Sequence, residues 1–135
     1  MTLAILLLLA CQPQTPPVPP NYDRAMASVL ASLDEAARLD VASQDEDART
    51  SWRRAHAEFS EVLEPGFREH ISSTKVALIE VRFGLFRAAL ERTRGSSRQE
   101  LRLLKHALEE AGPALDEPVD PDSDSATAEG SGTAD

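Results

Sequence analysis

The sequence predicts an all-α protein, a small up-down antiparallel four-helix bundle over residues 21–113 with disordered flanking segments. Apolar residues recur at three- and four-residue steps through this stretch, and no segment alternates as half-buried strands do. Capping residues and Gly or Pro breaks divide it into four amphipathic segments. Because short connections join these segments, antiparallel neighbours are expected.

Caps and apolar stripes define the first two helices. Asn21 is expected to cap the first helix, and Ser43 with Glu46 forms a capping-box pattern before the second. The apolar stripe of the first helix comprises Tyr22, Met26, Val29, Leu33 and Ala36. The stripe of the second comprises Trp52, Ala55, Phe59 and Leu63.

The second helix contains Pro65, which cannot bond the carbonyl of Glu61. The helix must kink or restart there, and we favour a kink because Phe67 and Ile71 continue the apolar pattern. His70 ends this helix.

The last two helices are defined in the same way. Ser72 or Ser73 can cap the third helix, and Ser97 with Glu100 forms a second capping box. The third stripe comprises Val76, Ile79, Phe83, Phe86 and Leu90, and the fourth comprises Leu101, Leu104, Leu108 and Ala111. The predicted C-terminal signals are Arg92, Arg94 and Gly95 for the third helix and Gly112-Pro113 for the fourth. Gly84 inside the third helix indicates either close helix approach or simple tolerance.

Residues 1–10 predict a secretory signal segment. The apolar run from Leu3 to Ala10 is too short for a transmembrane helix, which needs roughly 20 residues. Leu8-Leu9-Ala10-Cys11 resembles the bacterial lipobox. The resemblance implies lipidation of Cys11, cleavage before it and anchoring to the lipid bilayer through its acyl chains. The segment has no positive n-region, so we expect the true start to lie upstream of Met1.

Two segments flank the predicted bundle. Residues 11–20 contain five prolines, which favour polyproline II and a semi-rigid spacer of about 30 Å between membrane and domain. Gln12 follows the cysteine, at a position where an Asp often retains lipoproteins at the inner membrane. The absence of an Asp here resembles the pattern of lipoproteins that are sent to the outer membrane and face the periplasm. Residues 114–135 predict an acidic disordered tail.

Composition excludes several classes of function. The net charge of −9 resides mostly in the tail, so residues 21–113 are nearly neutral, and without a basic stripe no nucleic-acid partner is expected. One cysteine allows no intrachain disulfide and no Cys-based zinc cluster. The sequence contains no Gly-rich phosphate loop, Ser nucleophile elbow or Cys-His pair, so we do not expect an enzyme.

The candidate site residues are one histidine and several carboxylates. His56 lies one turn after Trp52, either as a boundary histidine with one hydrogen bond or as a metal ligand. Glu80 lies among apolar residues and needs a partner, either an arginine or a metal. The carboxylates that could face Glu80 across the bundle are those of Glu58, Glu61 and Glu64. Carboxylates with a His inside a bundle are the ligands of iron and manganese sites.

Part of the second and third helices resembles a known family. The segments are Trp52 to Phe59, Leu63 to Arg68 and Ile79 to Arg87, and they look like the periplasmic helical domains of bacterial oxidase-coupled iron permeases. They are also similar, more distantly, to imelysin-type helical lipoproteins. The resemblance implies iron or copper handling, with Glu80 and Glu64 nearest to the family's acidic positions. The permease's membrane helices and Arg-Glu-x-x-Glu motif are absent, which excludes transport by this chain alone.

Three functions remain open. The first is a membrane-anchored module in the periplasm that binds an unknown protein partner through a helix face, with a homodimer as one form. The second is a periplasmic iron- or copper-binding accessory of a permease system, using Glu80, Glu64, Glu58 and His56. The third is a small periplasmic chaperone or stress sensor, although the Leu-Thr-x-x-Gln signature of that family is missing.

Overall fold

Four helical segments make up the part of the chain described by the structure, a computed structural model that covers residues 19–92 and 96–118. The segments are α1 (Tyr22–Val41), α2 (Asp45–Glu58) running through a π-helical turn (Phe59–Leu63) into α3 (Glu64–His70), α4 (Ser73–Leu90), and α5 (Ser97–Ala111) followed by a 3₁₀ turn (Gly112–Asp116). No strand occurs in these ranges, and the predicted all-α class is confirmed.

Several predictions fall outside the described residues. These are the signal segment and Cys11, the linker up to residue 18, the Arg94 and Gly95 helix end, and the tail from residue 119. The α-helical part of α5 does stop before Gly112-Pro113, as predicted, but the chain continues as the 3₁₀ turn. Leu115 of this turn is buried in the core, so the folded part extends to Asp116.

Two of the predicted helix caps are confirmed. The side chain of Asn21 accepts a hydrogen bond from the backbone N–H of Arg24 at 2.9 Å, which begins α1. The hydroxyl oxygen of Ser72 accepts one from the backbone N–H of Lys75 at 3.4 Å, which begins α4. Both side chains satisfy donors that the first turn of a helix leaves without a backbone partner.

The capping box predicted at Ser43 and Glu46 is wrong. Ser43 has a φ of 62° and terminates α1, whereas α2 begins after Gln44 without a side-chain cap. The N–H of Ser43 donates to the carbonyl of Asp40, and that of Gln44 donates to the carbonyl of Leu39. This is a Schellman arrangement, in which two carbonyls at the helix end find donors. The need to close α1 therefore decides the conformation of Ser43.

The second capping box, at Ser97 and Glu100, is also wrong. Ser97 is the first residue of α5, and its hydroxyl donates to Oδ2 of Asp40 at 2.5 Å. Both side chains are buried, so each depends on the other for its hydrogen bond. This contact joins the end of α1 to the start of α5.

The chain passes Pro65 without leaving the helix, as the continuing apolar pattern predicted. The π-helical turn ends two residues before it, and the N–H of Glu64 donates to the carbonyl of Phe59, five residues back. Pro65 lies in the first turn of α3, where a missing N–H costs least. Phe59, Leu63 and Phe67 are all fully buried, so the apolar face of the segment survives the change in helix type.

The core lies where α1 meets α2 and α5 and where α4 meets α2 and α5. All four phenylalanines of the chain are completely buried, and the remaining core is aliphatic. The predicted stripes supply most of it: Val29, Leu33, Ala36, Ala55, Phe59, Leu63, Val76, Ile79, Phe83, Phe86, Leu90, Leu104, Leu108 and Ala111. Tyr22, Met26, Trp52 and Leu101 are only partly buried, at the edge of the core.

Two glycines occupy opposite environments. A Cβ added at Gly66 would lie 2.8 Å from the ring of Tyr22, so this ring can pack directly on the backbone of α3 because Gly66 has no side chain. A Cβ added at Gly84 would meet nothing within 4 Å. Of the two sequence interpretations of Gly84, the structure therefore supports simple tolerance within the chain.

Alanine at these two positions is expected to change the free energy of unfolding in opposite directions. Gly84→Ala should raise it by roughly 0.5–1 kcal/mol, because alanine is the better helix former and its Cβ has open space. Gly66→Ala should lower it by about 1 kcal/mol or more, because the new methyl overlaps the ring of Tyr22. Urea denaturation followed by circular dichroism measures both, and in a Tyr22→Ala background the cost at Gly66 should disappear. Stabilisation by both alanines would contradict the packing described for Gly66.

Candidate functional site

Two of the four predicted metal-ligand residues meet between α2 and α4. Nε2 of His56 lies 3.6 Å from Oε2 of Glu80, and about a third of each side chain is exposed (34% and 36%). The contact is an ion pair only when His56 is protonated. The side chain nearest to the Glu80 carboxylate is therefore a histidine and not the arginine that the sequence offered, and the carboxylate is also open to solvent.

Aromatic side chains fix the position of His56. Its imidazole stacks on the indole of Trp52, with ring centroids 5.0 Å apart and an interplanar angle of 10°. It also meets the ring of Phe83 edge-on at 5.2 Å. The indole is itself held, because Nε1–H of Trp52 donates to the carbonyl oxygen of Phe83 at 3.2 Å. Packing across the α2–α4 contact therefore orients the imidazole towards Glu80.

The other two predicted ligands lie elsewhere. Glu58 accepts a hydrogen bond from the hydroxyl of Ser28 on α1. Glu64 accepts one from Nε of Arg68 at 2.8 Å, within its own helix. Within residues 19–92 and 96–118, no group of three or more His, Cys, Asp or Glu side chains is placed to hold a metal ion.

A cavity that the sequence did not predict lies beside Trp52, between the first half of α2 and the end of α4. We call it the Arg–Trp cavity; its volume is about 140 Å³ and its lining residues are Arg49, Trp52, Arg53, Arg87, Leu90 and Glu91. The guanidinium carbon of Arg87 lies 5.4 Å from the centroid of the indole, a cation–π geometry.

Carboxylates partly neutralise the arginines of this cavity. Glu46 accepts hydrogen bonds from Arg53 at 2.9 Å and from Arg49 at 3.0 Å. These bonds, first that from Arg53 and then that from Arg49, hold the pKa of the Glu46 carboxyl below its usual value. Nε of Arg87 donates to Glu91 at 3.3 Å. The spacing of Arg49 and Arg53 is visible in the sequence, but their proximity to Arg87 depends on how α2 and α4 pack.

A second unpredicted feature is an apolar surface on α4. We call it the α4 outer face and define it as Ala77, Leu78, Val81, Gly84 and Leu85, all of which are exposed. Leu78, Val81 and Leu85 are 49%, 56% and 40% exposed, and they follow one another at three- and four-residue steps. They form a second stripe, on the side of α4 away from the core.

A groove of about 400 Å³ between α4 and α5 adjoins this face. Its lining residues are Ile71, Lys75, Leu78, Ile79, Ala107, Glu110, Ala111 and Ala114. Leu78 belongs to both the groove and the outer face, so the two adjoin, and the groove also has Lys75 and Glu110 in its lining.

Across the described ranges, the helices are too short or too polar to cross a lipid bilayer. No protein-family model, curated protein or solved structure matches the chain.

Proposed function

We propose that the protein is a bacterial lipoprotein, anchored by lipid in the outer membrane, that presents a small helical interaction module to the periplasm. The residues Leu8-Leu9-Ala10-Cys11 support the anchor, because they join an apolar run to a cysteine in the order of a lipobox. The α4 outer face is the observation that supports the module. The proline-rich linker supplies the distance between the two.

Cys11→Ala is expected to abolish both lipidation and membrane retention, because the acyl chains attach to its thiol and to the amine created by cleavage before it. Metabolic labelling with an alkyne fatty acid, together with membrane fractionation, measures both effects. Gln14→Ala, in the same linker, is the matched control and should remain labelled and membrane-bound. An unlabelled wild-type protein would rule out the anchor.

We also propose that the four helical segments form an up-down antiparallel bundle. Contacts between helices support this order at both ends. The end of α1 meets the start of α5 through Asp40 and Ser97, and Tyr22 at its beginning meets Gly66 of α3, the last part of the second segment. Midway, Nζ of Lys105 donates to Asp34 at 3.0 Å. In this arrangement α1 begins at one end of the bundle and α4 lies along one side.

The chemistry of the α4 outer face favours a helical protein partner. Monomers rarely expose large continuous apolar patches, and three large apolar side chains follow one another along the outer face of α4. Covering the exposed halves of Leu78, Val81 and Leu85 contributes roughly 1 kcal/mol each. Gly84, with nothing within 4 Å of its Cβ position, lets another backbone approach closely.

These contributions are small compared with the binding free energy of ~8 kcal/mol that a micromolar complex requires. The adjoining groove adds further area, and anchoring in the same membrane raises the effective concentration of a partner. The proposal is therefore a weak contact strengthened by the shared membrane. A second copy of the chain is one such partner.

Val81→Asp is expected to disrupt association by at least about tenfold, because it places a charge in a surface that becomes buried. A photo-reactive residue at position 81, introduced in intact cells, should form a discrete crosslinked species. The same residue at Ala57, exposed on α2, is the matched control and should form none. A crosslinked species of twice the chain's mass identifies a homodimer, and any other discrete mass a different partner. If positions 57 and 81 crosslink equally, the outer face has no role in association.

Metal binding is the second candidate function, and the contact between His56 and Glu80 is the observation that favours it. Both side chains are partly exposed, so a metal ion could reach them. Two protein ligands are fewer than the three or four of most transition-metal sites, so water or a partner's residue would complete the coordination.

Calorimetric titration of the protein with Fe²⁺ and Cu²⁺ tests this second function. A 1:1 site is expected whose affinity falls tenfold or more in Glu80→Gln, because an ionised ligand is lost. The control is Glu109→Gln, an exposed glutamate on α5, which should bind as the wild type does. Equal heats for all three proteins would exclude a metal site at His56 and Glu80.

A further inference from the structure

We propose that the Arg–Trp cavity binds a phosphate group, either free or as the ester of a larger molecule. Three arginines line the cavity against one glutamate, so the lining carries an excess of positive charge. Glu46 offsets only part of it, because Arg49 and Arg53 share this one carboxylate. An anion in the cavity would complete the neutralisation.

The arginines retain donors for such an anion. A guanidinium has five N–H donors. In the part of the chain that the structure describes, Arg87 uses only Nε, towards Glu91, and Arg49 uses only Nη1, towards Glu46. The remaining N–H groups of both side chains have no hydrogen-bond partner among the described residues. Arginine forks of this kind bind the oxygens of phosphate in pairs.

The number of arginines favours phosphate over a carboxylate. One guanidinium is enough to occupy both oxygens of a carboxylate. A phosphate monoester has three terminal oxygens and up to two negative charges, which suit guanidinium groups arriving from two helices. The cavity volume of about 140 Å³ is sufficient for a group of this size.

The apolar part of the lining strengthens the site. Trp52 and Leu90 form this part, and the indole is held in place by its hydrogen bond to the carbonyl of Phe83. The arginines of the cavity are 43–60% exposed, so this apolar wall contributes by direct contact and not by excluding water. The same wall can contact the carbon skeleton of a phosphate ester. A lipid headgroup and a soluble phosphate ester share this chemistry.

Trp52 is the only tryptophan in the chain and lines the cavity, so its fluorescence reports binding directly. The full chain carrying Cys11→Ala is titrated with inorganic phosphate and with glycerol phosphate at constant ionic strength. In a second arm it is titrated with phosphatidylcholine vesicles with and without phosphatidic acid. We expect a saturable change in emission. A response to the soluble phosphates identifies a free ligand, and a response only to the phosphatidic acid vesicles identifies a lipid headgroup.

Three variants test the residues. Arg87→Gln should weaken binding about tenfold or more, because it removes charge-assisted hydrogen bonds. Glu91→Gln should strengthen it roughly two- to fivefold, because it removes the carboxylate that competes for Arg87. Arg68→Gln is the matched control, an exposed arginine paired with a glutamate four residues away and outside the cavity, and it should bind as the wild type does.

Arg87→Gln also changes the surroundings of the indole, so the affinity of this variant for phosphate is measured by calorimetry as well. Arg49→Gln is a second variant that removes an arginine from the cavity. The proposal is overturned if neither the soluble phosphates nor the phosphatidic acid vesicles bind. It is equally overturned if chloride at the same ionic strength reproduces the change, or if Arg68→Gln weakens binding as much as Arg87→Gln does.

Discussion

The packing of phenylalanine rings between the second and third helical segments is the contact on which the rest of the structure depends. Phe59 lies 4.9 Å from Phe83 and 6.3 Å from Phe67, measured between ring centroids, and all three are fully buried. In a chain with few aromatic residues, these rings supply the largest buried surfaces. They fix α4 against the segment formed by α2 and α3, and so set which residues of the two can meet.

The π-helical turn belongs to the same constraint. It begins at Phe59, and it lets the segment pass Pro65 while Phe67 still reaches the core. A π-helical turn is uncommon. Here it allows the segment to include Pro65, which cannot donate a backbone hydrogen bond, and still keep its apolar side chains on one face. Trp52 and His56, two turns and one turn before it, are placed by the same packing. The Arg–Trp cavity and the contact between His56 and Glu80 are therefore both consequences of how the aromatic rings pack.

The burial of its phenylalanines on one side leaves α4 with apolar residues on the other. Phe83 and Phe86 face the core, while Leu78, Val81 and Leu85 remain exposed. A helix in contact with neighbours only on its inner side cannot bury both stripes. The proposed interaction surface thus follows from the position of α4 in the fold, whereas the proposed anchor at Cys11 rests on local sequence.

The sequence by itself determined the helices, most of the core and two caps, because these features depend on neighbours within one or two turns. Asn21 and Ser72 cap their helices as their positions predicted, and the apolar stripes are buried. Only the tertiary structure decided the roles of Ser43, which closes α1, and Ser97, which bonds to Asp40. Only the tertiary structure places His56 beside Glu80. It places Glu58 against Ser28 and Glu64 against Arg68 instead. Such pairings depend on the relative position of whole helices, which the packing of the entire core sets and no local pattern records.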